Sequence, residues 1–184
     1  SKLPNVGVTI FAVMSKLAGD TGAVNLSQGF PDFDVDPELC NLVRKYMELG
    51  YNQYAPMQGV PALRRRIAEK TEELYGASYD PETEITVASG ATEAIFSAIS
   101  CVVNRGDEVV LFEPAYDAYA PDVLLSGGIP VYVALKYPDY HIDWNEVQDA
   151  ITAKTKLMIL NSPHNPTGTI LGPEDMAALA DIVA

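Results

Sequence analysis

Val109-Val110-Leu111-Phe112 is an unbroken apolar run, and Leu157-Met158-Ile159-Leu160 is another farther along the chain. A strand with one wet face alternates apolar and polar residues, whereas runs of this kind suit strands covered on both faces. Around them one unit repeats: strand 84–88, helix 91–103, strand 108–112, helix near 117–126, strand 129–134, helix 143–151, strand 156–160 and helix 173–183. Strands alternating with helices in this way predict an α/β fold, with a mostly parallel sheet covered by helices.

Upstream the pattern changes. Residues 1–26 show no sustained period, and Pro4, Gly7, Gly19 and Gly22 punctuate them, which predicts an arm with one short helix over 10–17. Asp36 as N-cap, Pro37 at the first helical position and Gly50 as the stop bracket a helix over 37–49. A helix over 60–75 places Val60, Leu63, Ile67 and Leu74 on one face, turns Arg64, Arg65 and Lys70 elsewhere, and ends at Gly76.

Composition narrows the partners. With 48% hydrophobic residues in 184, the chain can bury a core. Its 25 acidic against 12 basic residues give a formal charge of −13, which argues against nucleic acid and anionic membrane surfaces. No apolar run reaches the roughly 18 residues of a membrane span, and Ser1-Lys2-Leu3-Pro4-Asn5 lacks the basic flank and apolar block of a secretory signal. The expectation is a cytoplasmic protein. Cys40 and Cys101 have no CxxC spacing, and neither His141 nor His164 has a thiol or spaced carboxylates nearby, so no metal site is predicted. Both thiols are expected to be buried.

In an open parallel sheet, ligands bind beyond the carboxyl ends of the strands. Three segments stand there. Ser89-Gly90-Ala91-Thr92 closes a strand and opens a helix with small residues, leaving free N–H groups, a hydroxyl and a positive helix end suited to phosphate; an ordinary N-cap reads equally well. Neither GxGxxG nor GxxxxGK[ST] occurs, and Glu93 disfavours a large polyphosphate. In the second segment, 112–119, Pro114 breaks the strand and Tyr116 and Tyr119 follow, able to stack on a flat ligand or simply to cap the core. The third, Asn161-Ser162-Pro163-His164-Asn165-Pro166-Thr167-Gly168, combines two angle-fixing prolines with amide and hydroxyl side chains. Phosphate seat, ring and amide together suit a small phosphorylated aromatic compound.

These residues resemble the class I and II aminotransferases, fold-type I enzymes that use pyridoxal 5′-phosphate. Four motifs occur in the family's order over residues 25–168. They are Asn25-Leu26-Ser27-Gln28-Gly29-Phe30-Pro31-Asp32-Phe33; Tyr51-Asn52-Gln53-Tyr54 with Gly59 and Leu63-Arg64; Val87-Ala88-Ser89-Gly90-Ala91-Thr92-Glu93-Ala94; and the 161–168 segment. The subgroup resembled is that of the methionine and kynurenine/glutamine aminotransferases.

The resemblance implies roles. Ala91 and Thr92 would hold the cofactor phosphate, with Glu93 at the same turn. Tyr116 would stack on the pyridine ring, and Asn165 would donate to the cofactor's phenolate oxygen. Gly29 and Phe30 would meet the substrate. Tyr54 would reach the phosphate in a neighbouring subunit's site, which implies a homodimer with shared sites. The same resemblance implies an N-terminal arm and small-domain portion at 1–45, and the N-terminal portion of the cofactor-binding large domain at 46–184. The substrates implied are an amino acid (a methionine, aromatic or glutamine-like donor) and a 2-oxo acid.

The family also carries a Schiff-base lysine, an Asp for the pyridine nitrogen and an Arg for the substrate carboxylate farther along its chain. None of Lys2, Lys16, Lys45, Lys70, Lys136, Lys154 and Lys156 has the family's Ser-rich lysine context, and Ala180-Asp181-Ile182-Val183-Ala184 shows no helix stop. The expectation is therefore the N-terminal half of an enzyme, with no catalytic residue in the segment, inactive alone and with the Schiff-base lysine beyond residue 184. Two other readings use the same motifs: a carbon–sulfur β-lyase of the same fold, and a non-catalytic aminotransferase-like effector domain. A doubly wound domain for another phosphorylated compound is a further alternative.

Overall fold

The computed structural model describes every residue except Ser1, Asn5 and Phe30. The chain forms two compact units, one Val8–Ala88 and the other built on Ser89–Ala184.

In the first unit, α1 (Ile10–Thr21) starts at Thr9, whose hydroxyl accepts the Ala12 N–H at 3.3 Å. It runs a turn past the predicted end, because Gly19 is carried inside the helix and the stop is Gly22 at φ +67°. α2 (Pro37–Glu48) begins as predicted, with Asp36 Oδ1 accepting the Glu38 N–H at 2.7 Å. α3 (Pro61–Tyr75) reverses one expectation: Arg64 is its buried residue, while Val60, Leu63, Ile67 and Leu74 are exposed on this chain. Arg64 can be buried because its guanidinium finds acceptors on two other segments, as described below. The predicted strand 84–88 does not form. A strand needs a ladder, and among the described residues Val87 N–H bonds instead to Gln58 O, at 3.0 Å, in a loop.

The second unit runs α4 (Ala91–Val102), β1 (Glu108–Glu113), α5 (Tyr119–Leu125), β2 (Ile129–Ala134), α6 (Trp144–Ala150), β3 (Thr155–Ile159) and α7 (Pro173–Val183). The strands form a parallel sheet in the order β2-β1-β3. Glu108 to Glu113 pair in step with Ile129 to Ala134, and on the other side Val109, Val110 and Leu111 pair with Leu157, Met158 and Ile159. The chain leaves β1 to one side for β2 and returns across it to β3, so the order reverses at β1. That reversal opens a crevice at its carboxyl end.

Both faces of β1 are covered, which accounts for its unbroken apolar run. Val109 and Leu111 join Ile99, Val103 and Val123 in one cluster, with Ile95 of α4 and Tyr119 of α5 against it. Val110 and Phe112 point the other way, into a cluster with Val133, Leu135 and Val147, edged by Trp144 and Ile182. The cysteines are not buried as expected: Cys40 and Cys101 are free and exposed. α2 buries none of its described residues, and α4 turns Ile95 and Ile99 inward and leaves Cys101 outside. No described helix is long and apolar enough to cross a membrane.

Asp122 is anomalous within α5. It is 7% exposed, its Oδ2 has no hydrogen-bond partner, and burial pushes its carboxyl pKa up. A carboxyl raised in the folded state contributes fully below its unfolded pKa of about 3.9 and loses that contribution as pH rises through the folded value. At neutral pH its ionisation therefore costs stability. Asp122→Asn is expected to raise stability at pH 7 by about 1 kcal/mol, because the amide fills the same space without a charge to desolvate. The gain should shrink toward pH 4. Thermal melts at both values check this, and an equal gain at both would contradict it.

Candidate active site

The turn at Ser89-Gly90 aims the N-terminus of α4 at the carboxyl edge of the sheet. Gly90 lies at φ +95°, a conformation that L side chains rarely adopt, with open space where a Cβ would be. The first i→i−4 bond of α4 is Ala94 N–H to Gly90 O, at 3.2 Å. The N–H groups of Ala91, Thr92 and Glu93 therefore precede the helical ladder and sit at its positive end. Glu93 reaches back, its Oε2 accepting the Ser89 N–H, so its carboxylate braces the turn.

Thr92 Oγ1 and the Tyr116 hydroxyl are hydrogen-bonded at 3.2 Å, which joins the first predicted segment to the second. Tyr116 follows the strand exit at Glu113–Pro114, a cis bond, and stands edge-on to Tyr119 with centroids 5.6 Å apart. Burial, and secondarily Tyr116, pushes the Tyr119 hydroxyl pKa up. Tyr119 is accordingly a neutral phenol throughout the physiological range.

The loop after β3 is tied to itself. Asn161 Oδ1 accepts the Asn165 N–H at 2.7 Å, Gly168 N–H donates to His164 O at 2.7 Å, and His164 N–H donates to Thr169 O at 2.7 Å. His164 Nδ1 pairs with Thr167 Oγ1 at 2.8 Å, and Thr167 Oγ1 in turn with Thr169 Oγ1 at 2.8 Å. Ser162–Pro163 and Asn165–Pro166 are cis. Because the loop's own bonds use the Asn165 backbone, its exposed side-chain amide is held on a fixed frame. Burial lowers the His164 pKa and favours a neutral imidazole. The sequence reading gave Asn161 and His164 no bracing role in this loop; the signal for Asn161 was an Asx side chain four residues ahead of the Asn it holds.

A cavity of about 360 Å³ opens beside this loop at the carboxyl ends of β1 and β3, lined by residues that include Phe112, Tyr119, Tyr140, Asn161 and His164. Ala91, Thr92, Glu93, Tyr116 and Asn165 are not in its wall. Its wall draws on both apolar clusters, Phe112 and Leu135 from one and Tyr119 and Ile159 from the other.

The structure thus brings Thr92 and Tyr116 into contact, and in the same unit it places Ala91 and Glu93 in the first turn of α4 and Asn165 on the loop after β3. Tyr54 and Gly29 belong to the other unit. Tyr54 is fully exposed, and a Cβ on Gly29 would meet no atom within 4 Å. Phe30 lies outside the described residues. Among the described residues no group of three or more His, Cys, Asp or Glu could hold a metal ion.

The chain is 50% identical over 184 residues to a methionine aminotransferase of Escherichia coli strain K12, covering all of this chain and 48% of that protein. It is 38% identical over 194 residues to a kynurenine–oxoglutarate transaminase of Dictyostelium discoideum, covering 97% of this chain and 45% of the relative. A solved N-succinyldiaminopimelate aminotransferase from Mycobacterium tuberculosis superposes with a TM-score of 0.93 at 44% identity, over all of this chain and 48% of that one. The chain therefore spans about half the length of the curated relatives it matches. The sequence model described as "Aminotransferase class I and II" matches residues 21–184, and with that match over most of its length the chain belongs to the class I and II aminotransferase family.

Proposed function

We propose that the protein to which this chain belongs is a pyridoxal 5′-phosphate-dependent aminotransferase, moving an amino group from an amino acid to a 2-oxo acid. The observation that carries this reading is the 3.2 Å bond between Thr92 and Tyr116, which sets a hydroxyl and an aromatic ring at the open N-terminus of α4. The donor set fits the cofactor: unladdered N–H groups and a hydroxyl for a phosphate, a ring for a pyridine, and an amide on a fixed loop for a phenolate. When bound, that cofactor supplies an electron sink for carbanion chemistry at the amino acid's α-carbon.

The chain's own residues bind and orient. Ala91 and Thr92 hold the phosphate, and Glu93 keeps the turn in shape by occupying the Ser89 N–H. Tyr116, its hydroxyl anchored by Thr92, would stack on the pyridine ring. Asn165 would donate to the phenolate oxygen from a loop that Asn161 braces. Gly29 and Phe30 are assigned to the substrate on the family resemblance alone. The lysine that bonds the cofactor lies in sequence beyond Ala184, and Tyr54, fully exposed here, completes the site of a second copy in a homodimer. The identity to a methionine aminotransferase supports methionine as the first donor to try, ahead of aromatic and glutamine-like ones. A cytoplasmic location belongs to the same proposal.

The test is the full-length protein with added pyridoxal phosphate: a visible absorption band that borohydride reduces, followed by amino transfer from methionine to a panel of 2-oxo acids. No reducible band sinks the proposal. Within it, Asn165→Ala removes a donor that favours the charged form of its partner. The pH titration of the bound chromophore should then move up by about 1 unit or more, and kcat/KM should fall about tenfold, the worth of one such hydrogen bond. An unmoved titration rejects the role given to Asn165.

A further inference from the structure

Arg64 is 4% exposed, and three acceptors from two segments surround its guanidinium. Nε donates to Gly59 O at 3.3 Å, Nη1 to Pro81 O, and Nη2 to Glu82 Oε2 at 3.1 Å. The Glu82 side chain is 62% exposed, so the burial of this cation rests on two main-chain carbonyls as much as on its one ion pair. Gly59 ends the loop 51–59; Pro81 and Glu82 begin the segment 81–88 that feeds the turn at Ser89. A second fastening lies alongside, where Val87 N–H bonds to Gln58 O at 3.0 Å and a Cβ on Gly59 would lie 2.8 Å from Val87 Cβ.

Tyr54 stands on the loop between two fixed ends. At its start Asn52 Nδ2 donates to Met47 O at 2.9 Å, and Tyr51 stands edge-on to Tyr46 with centroids 5.4 Å apart. At its end the loop is held by Gln58, Gly59 and, through them, Arg64. The Tyr54 ring is fully exposed, so its direction is set by the loop's ends. Only a planar fork with several donors can span both segments; a lysine ammonium at position 64 is a point charge that would reach one of them.

We infer that Arg64 is a positioning residue, clamping the loop 51–59 to the segment 81–88 so that Tyr54 is presented in a fixed direction to the site it completes. The inference rests on the aminotransferase reading for what Tyr54 does there, and on this chain's geometry for the clamp itself. The Arg64 guanidinium bonds run to Gly59, Pro81 and Glu82. Its effect is carried by the backbone it ties.

The experiment has two arms, both on the full-length protein. Hydrogen exchange read by mass spectrometry compares the unmodified protein with Arg64→Lys and Arg64→Gln. Exchange over 51–59 and 81–88 should quicken about tenfold or more, the factor for losing one net hydrogen bond, while β1 keeps its protection. Unchanged exchange in the loop, or equal loss in β1, overturns the clamp. If Arg64→Gln fails to fold, Arg64→Lys decides, since it keeps the charge and loses the span.

The second arm measures pyridoxal phosphate dissociation from the unmodified protein, Arg64→Gln, Tyr54→Phe and the double variant; if Arg64→Gln fails to fold, Arg64→Lys replaces it. The single Arg64 variant should release the cofactor about tenfold faster, and the same change in the Tyr54→Phe background should add less than about twofold, because the two act through one contact. Equal factors in both backgrounds would mean general loosening and reject the positioning role. If the unmodified protein takes up no pyridoxal phosphate, the aminotransferase reading fails and Tyr54's task fails with it. The exchange arm still decides whether the clamp exists.

Discussion

Gly59→Ala is expected to destabilise the unit Val8–Ala88 by about 2–4 kcal/mol, combining an overpacked contact with a strained backbone. Gly59 lies at φ +101°, and an added Cβ would stand 2.8 Å from both Cβ and Cγ2 of Val87. Neither atom is the far end of a flexible chain. The Val87 backbone is also pinned, since its N–H bonds to Gln58 O. Relief would therefore have to come from the loop 51–59, weakening Gln58–Val87 and the Gly59 carbonyl that Arg64 holds. Denaturant unfolding of the full-length protein measures the loss. Adding Val87→Gly should recover the overlap part, leaving about 1–2 kcal/mol for the positive φ. A Gly59→Ala protein as stable as the parent would mean that the close approach to Val87 does not exist in solution.

Leu111→Ala is expected to cost about 3–5 kcal/mol, the upper range for a fully enclosed leucine. Leu111 has no exposed surface and lies in the central strand, with Ile99 of α4 and Val123 of α5 in the same cluster. The site is poorly able to collapse, because the strand carrying it is hydrogen-bonded on both sides and fixed in register. Urea or thermal unfolding reads the effect directly. A cost below 1 kcal/mol would mean that the helices on this side close over the space.

Much of this architecture was legible in the sequence because its signals are local. Val109 to Phe112 announced a strand covered on both faces, and Asp36-Pro37 a helix start; both elements stand where they were expected. The segments after β1 and β3 were legible for a similar reason, since proline fixes its own φ and ends a strand whatever surrounds it. Residues 84–88 failed for the opposite reason. Their apolar character was read correctly, but a strand is a relation between two segments, and Val87 found only Gln58.

Arg64 failed in the same way. Periodicity set it among Arg65 and Lys70 as a helix surface, and nothing local says that two carbonyls and a carboxylate from other segments converge on it. The contacts among the candidate site residues were not legible. That Thr92 meets Tyr116, that Glu93 is spent on Ser89, and that Asn161 holds Asn165 are facts of three dimensions. The exposure of Cys40 and Cys101 belongs here too, because thiols are apolar enough to be assigned inward and only the helix's rotation decides.

Along β1, neighbouring residues answer to different cores: Val109 and Leu111 to the α4 and α5 side, Val110 and Phe112 to the α6 side. The strand acts as a partition wall between two rooms that share no furniture. A lineage accumulating substitutions can refurnish one room without disturbing the other, so long as the wall's own odd or even residues are respected. The same independence lets an engineer recombine the α4–α5 layer of one relative with the α6–α7 layer of another, cutting only through the strand that both inherit.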